Sequence, residues 1–190
     1  MRTFIAIQLP EEIQKKLLFL QNSLKECKAI IKWVDPGNIH LTLKFLGEIN
    51  LDNLQKVIRE TEYALRDKLT FHITISTLGT FPDPNYPKVI WVGIKEGGIN
   101  IQNIAYALEE KLGKMGIPEE KNDFFCHITI GRIKSLVNKS EIIDRIRKLN
   151  SELINEEIKF SAEKVTIFKS RLTPNGPIYE ALKEITLKTA

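Results

Sequence analysis

The chain has few of the residues that build disulfide frameworks or metal centres. Its 190 residues include two cysteines, Cys27 and Cys126, and three histidines. Neither cysteine belongs to a CxxC pair, and the chain contains no HExxH segment. Both absences disfavour a disulfide scaffold and a zinc site. We therefore expect neither a metal nor any other cofactor.

Long apolar runs and dense basic runs are also missing. No stretch approaches the roughly 18 apolar residues of a membrane span, and the apolar run near the N-terminus, residues 4–9, is too short for a signal peptide. The 28 Lys and Arg residues against 24 Asp and Glu give a net charge of +4. Because these cations are scattered, they favour an anionic partner only mildly. The expectation is a cytoplasmic monomer that does not associate with membranes.

What the chain does contain is a regular alternation of strand and helix patterns. Four apolar stripes at helical spacing begin near Ile13, Leu54, Ile101 and Ile142, and Asn50 is a plausible N-cap for the second helix. Period-two or β-branched segments predict strands at residues 4–9, 30–34, 39–46, 71–78, 88–94, 124–130, 157–168 and 178–187. The order of these elements predicts an α+β fold with largely antiparallel strand pairing.

One four-residue phrase, His-x-Thr-x, occurs three times, beginning at His40, His72 and His127. Alternate side chains of a strand point to opposite faces, so each phrase presents His and Thr on one face and two aliphatic residues on the other. Pattern matching alone does not decide which two copies belong together.

An internal repeat separates the three copies. His40 and His127 stand 87 residues apart, and the same offset carries residues 4–7 onto residues 91–94. It carries His72 onto Lys159, so His72 has no counterpart. We predict one bilobal domain over residues 1–190, with pseudo-repeats at 1–83 and 88–170 and a closing strand at 177–187. Two mostly antiparallel sheets, flanked by helices, would face each other across a central cleft.

This pseudo-two-fold arrangement predicts that His40 and His127 meet across the cleft. His72 would lie in the lobe of His40, and a structural or peripheral role is favoured over a catalytic one. Imidazole titrates near neutrality, so two facing histidines can take and give protons in one reaction, as phosphodiester cleavage requires. Thr42 and Thr129 would donate hydrogen bonds to the non-bridging phosphate oxygens.

Other candidate residues carry two interpretations each. Arg132, five residues beyond His127, is either the cation that neutralises a bound phosphate or a solvated surface charge. Trp33, Trp91 and Tyr179 could stack on a nucleobase, but their place in or beside predicted strands favours the core.

Four stretches together resemble the two-histidine phosphoesterases, and most closely the RNA 2',3'-cyclic phosphodiesterases, also called 2'-5' RNA ligases. These stretches are Phe-Ile-Ala-Ile at 4–7, Asn-Ile-His-Leu-Thr-Leu-Lys-Phe-Leu-Gly-Glu at 38–48, Phe-Cys-His-Ile-Thr-Ile-Gly-Arg at 125–132 and Gly-Pro-Ile-Tyr at 176–179. They extend from the first strand to the last. Cys126 stands where the family commonly has proline.

The resemblance implies metal-independent hydrolysis of RNA 2',3'-cyclic phosphate ends to 2'-phosphates, with reversible 2'-5' ligation as a further activity. It implies that His40 is the proton donor to the departing 3'-oxygen and His127 the proton acceptor from water. RNA ends with a 2',3'-cyclic phosphate, tRNA fragments among them, would be the partners in RNA processing. A non-catalytic module that binds RNA ends or nucleotides in the same cleft is the alternative. The sequence does not identify the physiological RNA.

Overall fold

The computed structural model describes residues 1–120, 123–135, 137–153, 156, 158–174 and 176–189. Four α-helices are present in these ranges: α1 Glu11–Lys25, α2 Leu51–Leu65, α3 Gly98–Gly113 and α4 Lys139–Leu153. Each buries the apolar stripe that predicted it. The Asn50 side chain caps α2, because its oxygen accepts a hydrogen bond from the Asn53 amide at 2.8 Å.

Nine strands make up the rest of the described fold. They are β1 Arg2–Gln8, β2 Ile31–Trp33, β3 His40–Glu48, β4 Phe71–Phe81, β5 Val89–Glu96, β6 His127–Ile133, β7 Ile158–Ala162, β8 Lys164–Thr173 and β9 Gly176–Thr186. All pairings between them are antiparallel. The predicted α+β class with antiparallel pairing is confirmed.

The strands form two half-sheets that meet at their inner edges. Strands β7, β4, β5 and β6, in that order and with β2 beside β6, form the central half-sheet, and β3, β1, β8 and β9 form the terminal half-sheet. One residue pair, Leu41 with Ile128, joins β3 to β6. The two expected sheets are therefore continuous at their junction, as one curled nine-stranded sheet.

The helices cover one face of this sheet and leave the other face free for a site. Helices α1 and α4 pack on the central half-sheet, whereas α2 and α3 contact each other and pack on the terminal half-sheet. The main hydrophobic core lies between helices and strands and includes fully buried residues such as Ile5, Leu41, Ile73 and Ile128. We call the opposite, helix-free face the cleft face. None of the described helices is long and apolar enough to cross a membrane.

One strand prediction needed correction. The predicted strand at 157–168 is two strands, since the chain turns at Glu163 between β7 and β8 and these pair with different half-sheets. Glu157, its predicted first residue, and Asn175, within the predicted closing turn, lie outside the described residues.

The two repeats are also interlocked rather than side by side. Strand β4, from the first repeat, pairs with β5 and β7 of the second, and β8 returns to pair with β1. His72 on β4 therefore lies in the half-sheet of His127, and its expected place in the lobe of His40 was wrong. A tandem repeat fixes the order of strands along the chain but not the sheet that each one joins.

Candidate active site

The two outer His-x-Thr-x phrases meet where the half-sheets join. Leu41 and Ile128 are paired and fully buried on the helix side, so the neighbouring His and Thr side chains point to the cleft face. The antiparallel register, extended by one residue each way, sets His40 opposite Thr129 and Thr42 opposite His127. The fold thus brings together the four residues that the repeat singled out.

Each of the two histidines is held in the same way by its own backbone. The Nδ1 atom of His40 lies 2.7 Å from the carbonyl oxygen of Asn38, and that of His127 lies 2.8 Å from the carbonyl oxygen of Phe125. A carbonyl oxygen only accepts hydrogen bonds, so Nδ1 carries the proton in both rings. In the neutral form the Nε2 atom of each ring is therefore an unprotonated base.

An aromatic cluster surrounds each histidine. The ring of His40 lies 4.8 Å from the ring of Phe4 and 5.3 Å from that of Tyr179, between centroids. Phe81 approaches the ring of His127 edge-on at 5.0 Å, and Phe125 lies at 6.0 Å. Because burial disfavours the charged imidazolium, it lowers the pKa of both histidines below the ordinary value, against the opposing effect of the carbonyl hydrogen bonds.

A one-residue register shift follows the threonine of each phrase. In β3, Ala6 pairs with Thr42 and Ile5 with Lys44; in β6, Trp91 pairs with Thr129 and Ile90 with Gly131. The extra residue reverses the alternation of faces beyond it. The side chain three residues after each threonine therefore returns to the cleft face.

Those two side chains differ in chemistry, although they occupy equivalent positions. Phe45 follows Thr42 and its ring lies 6.3 Å from that of Phe4, whereas Arg132 follows Thr129 and pairs with Val89. Both are exposed. The cleft face is thus symmetric in its histidines and threonines and asymmetric beyond them, with a cation on the His127 side and an aromatic ring on the His40 side.

The charge of Arg132 affects the pKa of one residue in each half-sheet, His127 and Tyr179. After burial, which is the larger cause, the guanidinium contributes to the lowered pKa of His127. Burial raises the pKa of the Tyr179 hydroxyl on β9, and Arg132 opposes that rise. That Arg132 neutralises a bound phosphate stays a prediction.

The third histidine lies apart from this group. His72 pairs with Ser161, is exposed, and has its Nδ1 atom 3.1 Å from the Ser161 hydroxyl. Strand β5 separates β4 from β6, so His72 lies two strands away from His127. On β5, Gly93 pairs with His127, and on β4, Thr77 lies beside Gly93. His72 is five residues along β4 from Thr77. At about 3.3 Å per residue the separation along the strand is roughly 17 Å. His72 does not meet the other two histidines.

The aromatic residues beside the histidines are the part of the site that sequence reasoning missed. Trp33 packs against the main core as expected. Tyr179 packs against a small second core cluster, Phe4, Ala6 and Phe168, beside His40. Trp91, for which the core was also favoured, lies on the cleft face, level with its partner Thr129. The ring of Trp91 covers Gly79, where a Cβ atom would approach it to 2.3 Å, and packs against Phe81 at a tilt and against Phe125 edge to face. Alternation along β4 and β5 could have indicated this face, but not the neighbours.

Two imidazoles with unprotonated Nε2 atoms, two hydroxyls and one guanidinium form an arrangement that could carry out phosphoester chemistry by acid and base catalysis. Cys126, next to His127, packs against the main core, and burial raises the pKa of its thiol to about 12. A thiol with such a pKa stays protonated near neutrality, so Cys126 is not a nucleophile here.

Comparisons with known proteins identify the family of the chain. The sequence profile of the family described as LigT like Phosphoesterase matches the chain twice, at residues 7–91 and 92–179. The chain is 37% identical over 184 residues to the RNA 2',3'-cyclic phosphodiesterase of Methanocaldococcus jannaschii, covering 97% of this chain and 99% of that protein. It is 33% identical over 187 residues to the protein of the same name from Methanothermobacter thermautotrophicus, covering 98% of each.

Solved structures share the fold. A crystal structure of a Thermus thermophilus protein superposes with a TM-score of 0.80 at 24% identity, covering 100% of this chain and 99% of that one. The Escherichia coli LigT structure complexed with 3'-AMP gives a TM-score of 0.77 at 21% identity, covering 98% and 97%. The chain therefore has the two-lobed fold of these structures. By its sequence, the chain belongs to the LigT-like phosphoesterase family.

Proposed function

We propose that this protein hydrolyses RNA 2',3'-cyclic phosphate ends to 2'-phosphates, with no metal ion in the reaction. The observation that carries the proposal is the pair of histidines, each held with Nδ1 protonated and Nε2 free, on strands that meet at one residue pair. The names of the relatives from two archaea point to the same substrate. RNA carrying such an end, including tRNA fragments, is the proposed partner, and RNA processing the proposed role.

In this mechanism the two histidines act on opposite sides of phosphorus. The Nε2 atom of neutral His127 accepts a proton from water as the water oxygen bonds to phosphorus. The bond from phosphorus to the 3'-oxygen breaks, and protonated His40 gives its Nε2 proton to that oxygen. The geometry of the two histidines is symmetric, so the assignment of donor and acceptor rests on the resemblance of the motifs.

The remaining residues stabilise the phosphate. The hydroxyls of Thr42 and Thr129 donate to the non-bridging oxygens, and Arg132 supplies a cation where negative charge accumulates. Burial lowers the pKa of His40 and so disfavours its protonated form in the free protein. An anionic phosphate in the cleft stabilises the His40 imidazolium, so substrate binding favours the protonated form that acts as the acid.

The decisive experiment compares the three His-x-Thr-x phrases. His40→Ala and His127→Ala should each lower kcat for adenosine 2',3'-cyclic phosphate by about 10² to 10⁴, the usual range for a positioned acid or base. The double variant should lose far less than the product of the two, because the histidines act as a unit.

His72→Ala is the matched control, being the same substitution in the same phrase on the same half-sheet. It should stay within about tenfold of the unsubstituted protein. If His72→Ala were as inactive as His127→Ala while folded by circular dichroism, the pairing of His40 with His127 would be wrong. If the unsubstituted protein bound the cyclic nucleotide without turning it over, a nucleotide-binding module would replace the enzyme.

A further inference from the structure

A second concavity lies beside His127, outside the cluster of histidines and threonines. Its volume is about 470 Å³, within the range of small-molecule sites. The end of β5 and the first turn of α3 form one wall, and the segment from Phe124 to Cys126 forms the other. Phe125 is shared with the cleft, because its carbonyl oxygen holds His127 and its ring lies 6.0 Å from the His127 ring.

The lining of this cavity is mixed in a way that suits a nucleoside. The Phe125 ring is 51% exposed and offers a face for base stacking. The side-chain amides of Asn100 and Gln102 provide both donors and acceptors. Glu96 accepts a hydrogen bond from the Thr74 hydroxyl at 2.7 Å, and this bond lowers the pKa of its carboxyl. Lys95 also lines the cavity, so the two formal charges of the lining cancel and no net positive charge attracts a bare phosphate. Ribose hydroxyls and base amines can donate to the Glu96 carboxylate.

The proposed reaction indicates which nucleoside would reach this side. Attacking and leaving oxygens lie roughly in line on opposite sides of phosphorus. With His40 at the 3'-oxygen, the ribose and base that carry the cyclic phosphate lie on the His40 side. The attacking oxygen lies on the His127 side, next to Phe125. A 5'-hydroxyl in place of water would extend its own nucleoside towards the cavity.

We propose that this cavity binds the 5'-terminal nucleoside of a second RNA, whose 5'-oxygen is joined to the 2'-phosphate in a 2'-5' linkage. The proposal rests on the function proposed above and adds a site to it. In the cleavage direction the 3'-hydroxyl gives its proton to His40 as its oxygen bonds to phosphorus. The bond from phosphorus to the 5'-oxygen breaks, and that oxygen takes a proton from His127. The products are a 2',3'-cyclic phosphate and a nucleoside with a free 5'-hydroxyl.

Gly98 allows the cavity to be filled without disturbing its walls. It is the first residue of α3, it lines the cavity, and a Cβ atom built on it meets no other atom within 4 Å. Gly98→Phe should therefore occupy the space of the second nucleoside, and Gly98→Ala is the matched control. The two substrates are adenylyl-(2'-5')-adenosine, followed by release of adenosine, and adenosine 2',3'-cyclic phosphate, followed by its hydrolysis.

We expect Gly98→Phe to lower kcat/KM for the 2'-5' dinucleotide at least tenfold relative to Gly98→Ala, with the hydrolysis of the cyclic mononucleotide changed less than twofold. Gln102→Ala should lower the ratio of the two rates in the same direction. Asn103→Ala, an exposed amide on the same helix that does not line the cavity, should leave the ratio unchanged. If Gly98→Phe fails to fold, the comparison of Gln102→Ala with Asn103→Ala tests the proposal instead.

Three results would overturn the proposal: equal loss of both activities in Gly98→Phe, no loss of either, or no cleavage of the 2'-5' dinucleotide by the unsubstituted protein. Failure of the proposed function gives a different result, namely no hydrolysis of the cyclic mononucleotide by the unsubstituted protein. The two failures are therefore separable in one set of assays.

Discussion

Lys44 and Glu109 form an ion pair that no sequence pattern predicts inside the protein. The register shift after Thr42 turns Lys44 away from the cleft and into the core, where its side chain is 0% exposed. Its Nζ atom donates to Glu109 Oε2 at 2.7 Å and to the Pro118 carbonyl oxygen at 3.1 Å. The Glu109 side chain is 27% exposed and also accepts from the Glu120 amide.

This difference in burial predicts unequal costs for removing the two partners. Glu109→Gln leaves a fully buried ammonium without its counter-charge and should cost about 3–5 kcal/mol in the free energy of unfolding. Lys44→Met keeps the apolar stem and leaves a carboxylate that water reaches, so it should cost about 1–2 kcal/mol. The double variant should stay within about 1 kcal/mol of Lys44→Met, because no buried charge then remains unpaired.

Urea unfolding of the four proteins, monitored by circular dichroism at a constant m-value, measures these differences. For a chain of this size each kcal/mol also shifts Tm by about 2–4 °C. The reasoning fails if Lys44→Met is the more destabilising single change, or if the two single costs simply add in the double variant. Additivity would mean that the two side chains do not act as a pair.

Three further predictions concern the proposed reaction. Turnover of a cyclic mononucleotide should survive EDTA, since the proposed groups transfer protons without a Lewis acid; loss of turnover that zinc or magnesium restores would contradict this. The product should carry a 2'-phosphate and a free 3'-hydroxyl by nuclear magnetic resonance, and a predominant 3'-phosphate would reverse the roles of His40 and His127. Because burial lowers the pKa of both histidines, the protonated acid of the free enzyme should be lost, and kcat/KM should fall, as pH rises towards the ordinary value of about 6.5. If kcat/KM fell only well above pH 7, the pKa of the acid would not be lowered, and the rings of His40 and His127 would be exposed to water rather than buried.

Local periodicity was enough to predict every described α-helix and the class of the fold. The stripe that begins at Ile13 and the cap at Asn50 depend on neighbours within a few residues, which a sequence displays directly. The predicted strand at 157–168 failed because its turn at Glu163 carries no Gly or Pro. Which half-sheet β4 or β8 joins depends on contacts with strands that are distant in the sequence, so no local pattern predicts it.

In the candidate site, too, local patterns were predictable from the sequence and long-range pairings were not. The repeat placed His40 with His127 because both phrases sit at equivalent positions of paired strands, and the structure brings them together. The offset of 87 residues does not extend to β1 and β5, where the partners of the two threonines, Ala6 and Trp91, are 85 residues apart. Bulges and strand shifts of this kind change which residues face each other without changing the apolar pattern.

The exchange of β4 and β8 between the half-sheets affects how this chain is made. Strand β1 pairs with β3 early in the sequence, but its other neighbour, β8, begins only at Lys164. At typical rates of synthesis, β1 waits about 10 to 30 s for that strand. During this time the outer edge of β1 presents unpaired backbone groups and the apolar side chains of Phe4 and Ile5, which other chains could join. We therefore expect protection of the nascent chain, by the ribosome or by a chaperone, to raise the yield of folded protein more than its small size suggests.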